Sequence, residues 1–333
     1  MSQQDIVTVW GAGSWGTALA MVLAKHGRKV HLITRNQDTA DTLNQDGENK
    51  RYLNGLPFPD SLQAIGQEHP DLPVLLQQSF ATVLALPCAV AETALIRLRE
   101  YSHPVIAANK GINPDTLERV DELLIRFVGK ERTLLLSGPS FAAEVAVGKP
   151  TAITLAAIHV ESAKQVAALF EDSNFRVYTS NDLVGVALGG ALKNVIAIAA
   201  GIAEGMHLGH NAMAALVTRG IAEISRVTEA CGGKAETMSG LSGLGDLLLT
   251  CTGSLSRNRK MGMALASGLS VEKAREYVGQ VVEGEKTATA AVKLAKKHQI
   301  DMPITQSVYD VLQGNASPKK ALQTLLERPE KDE

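Results

Sequence analysis

Ile6–Trp10 is a short apolar, β-rich run. Six residues follow, Gly11-Ala12-Gly13-Ser14-Trp15-Gly16, and then 17–26 reads as helix until Gly27. A second, largely apolar strand follows at Lys29–Thr34, which completes a β-α-β unit. Further strands are predicted at 81–86, 104–108, 133–136, 151–156 and 175–179, separated by helical stretches at 89–99, 114–127 and 161–171. Such alternation predicts an α/β architecture with a largely parallel, doubly wound sheet.

After residue 182 the strand signals vanish and helical stretches take over, near 183–204, 210–231, 242–250, 271–277, 284–298 and 304–313. The expected organisation is therefore a Rossmann-like domain over 1–182 and an all-helical domain over 183–333, ending in a frayed polar tail, ERPEKDE. With 333 residues the chain has length for about two domains. A net charge of -2, 45% hydrophobic and 20% charged residues describe an ordinary soluble protein, and 4% aromatics argue against a base-stacking surface for nucleic acid.

Cys88, Cys231 and Cys251 form no CxxC pair, so neither a disulfide framework nor a zinc site is expected, and no export signal precedes the first strand. A cytoplasmic protein fits best. One segment competes, since 183–203 approaches the length of a membrane span. It carries a central lysine and several glycines without an aromatic belt, which argues for a buried core helix and against a membrane-embedded chain.

The six residues after the first strand have the form GxGxxG and open a helix. Gly11 permits the tight turn, Gly13 lets backbone approach a pyrophosphate, and Gly16 allows close helix-to-strand packing, so a dinucleotide is the expected ligand. An NAD-selective site carries an acid about 20 positions on. Here Arg35 stands in that place, a group suited to a 2′-phosphate, so NADPH is expected to be favoured and NADH accepted.

Three near-motifs fail. Gly148-Lys149-Pro150-Thr151 lacks the P-loop's first glycine, since position 143 is alanine; Gly240-Leu241-Ser242-Gly243-Leu244 ends in leucine where a nucleophile elbow needs glycine. Glu204, His207 and His210 are interrupted by Gly205 and Gly209, so no metal site is expected.

Lys193 is the one charged residue between Asp182 and Glu204. A lone ammonium among apolar side chains is unfavourable unless compensated. With Asn194 it forms one of five polar islands, the others being Asn109-Lys110-Gly111, Ser137-Gly138-Pro139-Ser140-Phe141-Ala142, Leu244-Gly245-Asp246 and Ser256-Arg257-Asn258-Arg259. Lysine suits protonation of an oxygen that gains charge as hydride reaches its carbon, with Asp246 the best orienting carboxylate. Arg257, helped by Ser256 and Asn258, suits a phosphate.

With these residues in view, the chain resembles the NAD(P)-dependent glycerol-3-phosphate dehydrogenases of bacteria. The resemblance rests on GAGSWGTALA, RYLNG (51–55), ANKGI (108–112), SGPSFAAEVA (137–146), GGALKNVIAIAAGI (189–202), GLGDLLLTCTGSLSRNR (243–259) and VVEGEKTA (281–288). It implies reversible reduction of dihydroxyacetone phosphate to sn-glycerol 3-phosphate for phospholipid synthesis, with Lys193 as proton donor and acceptor. It places Ser14, Trp15, Arg35, Lys110, Ala142, Arg257, Val281 and Glu283 at the cofactor. Around the substrate it places Lys110, Gly138, Ser140, Lys193, Asp246, Ser256, Arg257 and Asn258. Phe80-Ala81 and GMHLGHN (205–211) depart from the family pattern locally. Two alternatives stay open, a β-hydroxyacid dehydrogenase and a non-enzymatic NADPH sensor. Glycine- and alanine-rich helices are compatible with a homodimer.

Overall fold

The computed structural model describes residues 6–170 and 174–329. The last four residues of the polar tail and the expected helix end at 171 lie outside the described residues. The chain forms two compact units, Met1–Lys110 with Val120–Val186, and Gly111–Arg119 with Ala187–Glu333.

The first unit is built on one sheet. Its strands are β1 (Ile6–Trp10), β2 (Lys29–Thr34), β3 (Leu62–Gly66), β4 (Ala81–Leu84), β5 (Val105–Ala107), β6 (Thr133–Ser137), β7 (Thr151–Ala157) and β8 (Phe175–Ser180), in the order β3-β2-β1-β4-β5-β6-β7-β8. Strands β1 to β6 are parallel, whereas β7 runs antiparallel to β6, and β8 pairs parallel with β7. Helices α1 (Ser14–Lys25), α2 (Gln37–Asp46), α3 (Leu72–Gln78), α4 (Cys88–Leu98), α5 (Val120–Val128), α6 (Ala142–Ala146) and α7 (Val160–Ala167) connect them. The reversal at β7 has a local cause. Between β6 and β7 the only helix is the five-residue α6, about 8 Å long, and the chain comes back beside β6 without a full crossover.

Helix α1 is buried from Gly16 to Ala24, which explains why its sequence is apolar on every face. Where a helix over 114–127 was expected, α5 starts only at Val120. The preceding residues are held in a turn: Asn113 Oδ1 accepts from the backbone of Asp115 and Thr116, Leu117 has φ +62°, and Ile112 bridges Arg119. That segment belongs to the second compact unit, an excursion that composition along the chain does not register.

Beyond that segment the described residues of the second unit form helices, α8 (Leu183–Gly205), α9 (Gly209–Ala230), α10 (Ala235–Met238), α11 (Asp246–Thr252), α12 (Arg257–Ala266), α13 (Val271–Val278), α14 (Glu283–His298), α15 (Pro303–Leu312) and α16 (Pro318–Leu326). Helix α8 starts where the expected boundary lies, capped by Asp182, whose Oδ1 accepts from Gly185 N at 2.9 Å; the compact units divide inside it, after Val186. It is long and apolar enough to cross a membrane, but 94% of its most apolar window is buried in the protein. Its apolarity serves a core. A Cβ on Gly201 would lie 2.0 Å from Arg259 O, and one on Gly262 would lie 2.1 Å from Ile198 O, so α8 and α12 touch backbone to backbone. The helix expected over 242–250 begins instead as a π-helical turn, Leu241–Gly245, closed by Gly245 N to Gly240 O at 3.1 Å.

Candidate active site

The three glycines after β1 differ in what requires them. Gly11 has φ +117°, and a Cβ there would stand 2.6 Å from Ala85 O, just past β4. A Cβ on Gly16 would lie 1.9 Å from Gly11 O. Both serve the protein's own packing. Gly13 has an ordinary φ of -78° and open space around its missing Cβ, so neither strain nor packing asks for glycine there. Close approach of a ligand is the remaining physical reason. Gly13 is the N-cap of α1, where no side chain caps the helix, so its first N–H groups and positive dipole end suit a pyrophosphate. The residues fit a dinucleotide.

The sheet order places this turn at a topological switch point, because the chain leaves β1 toward β2 on one side and reaches β4 on the other. Around the same carboxyl-end edge stand the loops after β5 and β6. Trp15 Nε1 donates to Ala108 O at 3.1 Å, tying the first turn of α1 to the end of β5. Asn109 Nδ2 donates to Cys88 Sγ at 3.3 Å, and that thiol donates to Lys110 O at 3.6 Å, which fixes the backbone carrying Lys110. Gly138, at φ +150°, allows β7 to pass close, since its Cβ would meet Ile153 Cα at 2.9 Å. Ser140 Oγ donates to Gly138 O at 3.0 Å, leaving its oxygen lone pairs for a ligand. Two buried acceptor or donor atoms beside these residues, Asn109 Oδ1 and Ser137 Oγ, have no protein partner. Ala142 opens α6, and Arg35 is exposed just past β2.

In the second unit α8 carries Lys193 at 7% exposure, facing Asp246 at 1%. Lys193 Nζ donates to Asp246 Oδ1 and, at 2.9 Å, to Thr250 Oγ1. Thr250 Oγ1 donates in turn to Asp246 O at 2.6 Å, one helical turn earlier in α11. Taking one of these charges out of water costs several kcal/mol, and only the partner's charge together with further hydrogen bonds offsets it. Neighbouring Cys251 is fully buried, and burial pushes its thiol up to about 12, against the opposing pull of the Lys193 charge; it stays a neutral filler.

Lys193 and Asp246 are brought together; the SRN segment is arranged differently from a set of free ligands. Ser256 caps α12, its Oγ accepting from Arg259 N at 3.2 Å. Asn258 spends both ends of its amide on the fold, donating to Asn194 Oδ1 at 2.9 Å and accepting from Gly284 N at 3.0 Å. Asn194 Nδ2 reaches Glu283 Oε2 at 3.4 Å, so the α14 start is keyed to the residue beside Lys193. Arg257 is exposed, 3.4 Å from Gln280 Oε1, and Val281 is 66% exposed. Glu204 forms a two-pronged pair with Arg259. Thr250 carries contacts that its residue type does not announce, because threonine is common in caps and turns.

A glycine turn of this kind at the switch point of a mostly parallel sheet, in a chain whose helical unit buries a lysine–aspartate pair, defines a dinucleotide-dependent dehydrogenase of Rossmann type. Residues 6–163 match the family described as NAD-dependent glycerol-3-phosphate dehydrogenase N-terminus, and 182–323 match the corresponding C-terminus. The chain belongs to the NAD-dependent glycerol-3-phosphate dehydrogenase family. A glycerol-3-phosphate dehydrogenase (NAD(P)+) of Stenotrophomonas maltophilia is 44% identical over 333 residues, covering 99% of this chain and 96% of that protein. One from Moorella thermoacetica is 44% identical over 329 residues, covering 98% and 97%. The crystal structure of glycerol-3-phosphate dehydrogenase from Coxiella burnetii superposes with a TM-score of 0.91 at 39% identity, over 98% of this chain and all of that one.

Proposed function

We propose that this chain catalyses the reversible, NAD(P)H-dependent reduction of dihydroxyacetone phosphate to sn-glycerol 3-phosphate, with Lys193 as general acid and base. The observation that carries the reading is the buried Lys193–Asp246 pair on a chain of this family. The nicotinamide cofactor, when bound, supplies the hydride. The turn that Gly11 and Gly16 shape would hold it through Gly13, Ser14 and Trp15, with Lys110 and Ala142 beside them; the family resemblance adds Arg35, Arg257, Val281 and Glu283. Arg35 supports a preference for NADPH, since a guanidinium matches a 2′-phosphate and no carboxylate stands at the end of β2.

At the reacting carbonyl, the Lys193 ammonium neutralises charge growing on oxygen and hands over a proton; in the reverse direction the neutral amine takes the proton back. Asp246 and Thr250 fix Nζ, so the donor is aimed before substrate arrives. The phosphate is held by the Arg257 guanidinium and the backbone N–H groups at the start of α12. Ser256 and Asn258 shape that helix start, the one as its cap and the other as its tie to α8 and α14. Lys110, Gly138 and Ser140 contact the remaining polar atoms.

The product is the backbone of glycerophospholipids, and we place the reaction at the entry to their synthesis. Three free cysteines fit a reducing cytoplasm. The test is oxidation of NADPH and of NADH with dihydroxyacetone phosphate, set against succinic and tartronate semialdehydes. Turnover of the phosphate ester is expected, with NADPH preferred; turnover of a semialdehyde alone points to a hydroxyacid dehydrogenase, and cofactor binding without any turnover to a sensor.

A further inference from the structure

Asn49 lies in the loop after α2, outside every residue set assigned so far, yet it is 3% exposed. Its loop is closed on itself: Glu48 bridges Pro57, Phe58 N donates to Gly47 O at 2.7 Å, and Gly55 N donates to Glu48 Oε2 at 2.6 Å. Leu53 anchors it in the core that also surrounds α1. From this support Asn49 Nδ2 gives one proton to the glycine turn, to Ala12 O at 3.0 Å, and the other to Thr17 Oγ1 in α1 at 2.8 Å.

The bond to Ala12 has a directional consequence. In a trans peptide the carbonyl of one residue and the N–H of the next point in opposite directions, and no cis peptide occurs among the described residues. Holding Ala12 O on Asn49 therefore turns the Gly13 N–H away from the Asn49 loop. Gly13 is the residue with open space at its Cβ position. We infer that Asn49 is a positioning residue for the cofactor, which fixes the 12–13 peptide so that the Gly13 N–H is presented to the pyrophosphate. The inference rests on the cofactor reading above and adds a residue that acts through the turn and not on the ligand.

The bond to Thr17 is the internal control, because it buries the same amide without aiming that peptide. The experiment measures NADPH dissociation constants by calorimetry, thermal midpoints and steady-state constants for the wild type, Asn49→Ala, Asn49→Asp and Thr17→Val. Asn49→Asp preserves volume but cannot donate, and serves if the alanine variant does not fold. Expected is an approximately tenfold weaker NADPH affinity in either Asn49 variant, the equivalent of about 1.4 kcal/mol. The kcat at saturating NADPH and the KM for dihydroxyacetone phosphate should stay near wild type. Thr17→Val should lower the midpoint comparably while weakening NADPH by no more than about twofold. Unchanged NADPH affinity in the folded Asn49 variants overturns the inference, as does an equal loss in Thr17→Val. A wild type that binds no NADPH overturns the cofactor reading itself.

Discussion

At the scale of single residues, the balance at Lys193 and Asp246 is between desolvation and mutual attraction. Removing the carboxylate alone, as in Asp246→Leu, takes from the buried ammonium the charge that faces it and should destabilise the protein by about 3–5 kcal/mol. Removing both charges in Lys193→Met/Asp246→Leu should recover most of that loss, because apolar side chains suit the site. Activity should not return. Denaturant titration with turnover assays checks this; a double variant no more stable than Asp246→Leu would mean that the pair is not the source of the cost. The lysine was legible because it interrupts a long apolar run, and Asp246 because it interrupts another. Asn49 was not legible, since an asparagine in a polar loop looks like any turn residue, and its role appears only when Ala12 O and Thr17 Oγ1 are seen beside it.

At the scale of elements, glycines that look alike in sequence separate into two kinds. Gly13→Ala has room and an ordinary backbone, so the thermal midpoint should hold while NADPH affinity falls, if the glycine serves close approach of the ligand. Gly201→Ala should do the reverse. In an exposed helix the change gains up to about 1 kcal/mol, but here the Cβ would stand 2.0 Å from Arg259 O, so α8 and α12 must separate, at a net cost of about 1–3 kcal/mol. A stabilised Gly201→Ala, or a Gly13→Ala with wild-type affinity, would contradict these assignments. The patterned elements were legible: the apolar β1, β2, β7 and α8, the alternating β8 and the amphipathic α14 lie within a few residues of their expected bounds. The missed ones carry weak patterns. Strand β3 is five residues at the sheet edge. Helix α2 buries only Ala40 and Leu43, and α12 mixes three basic residues with a glycine used for backbone contact. The antiparallel β7 was invisible because a strand's own sequence does not state its direction.

At the scale of the whole molecule, the two units should answer acid in opposite senses. In the first unit burial pushes His31 and His103 down to about 4, aided by Lys29 and Arg132 respectively. His31 lacks a partner on either ring nitrogen, while His103 Nε2 meets Thr82 Oγ1 at 2.8 Å. The unfolded chain takes up these protons near pH 6.5 and the folded unit near 4. Their stabilisation is therefore complete above that upper value and lost as pH falls toward the lower, on the order of 3 kcal/mol for each. In the second unit burial raises Glu223, which accepts from the backbone of Ile304 and Thr305 at the start of α15. Its contribution is fully present below the ordinary carboxylate range and declines as pH rises through the raised value. Calorimetry from about pH 7 to about pH 5 should show the first unit's transition falling relative to the second's, with His31→Leu flattening the fall; a pH-independent transition in the first unit would contradict this. The proton role of Lys193 in reduction of dihydroxyacetone phosphate is open to direct kinetic test. The measurement is kcat of folded Lys193→Ala with saturating NADPH and dihydroxyacetone phosphate. A fall of about two to four powers of ten with NADPH affinity retained is predicted, and a kcat near that of the wild type would contradict it.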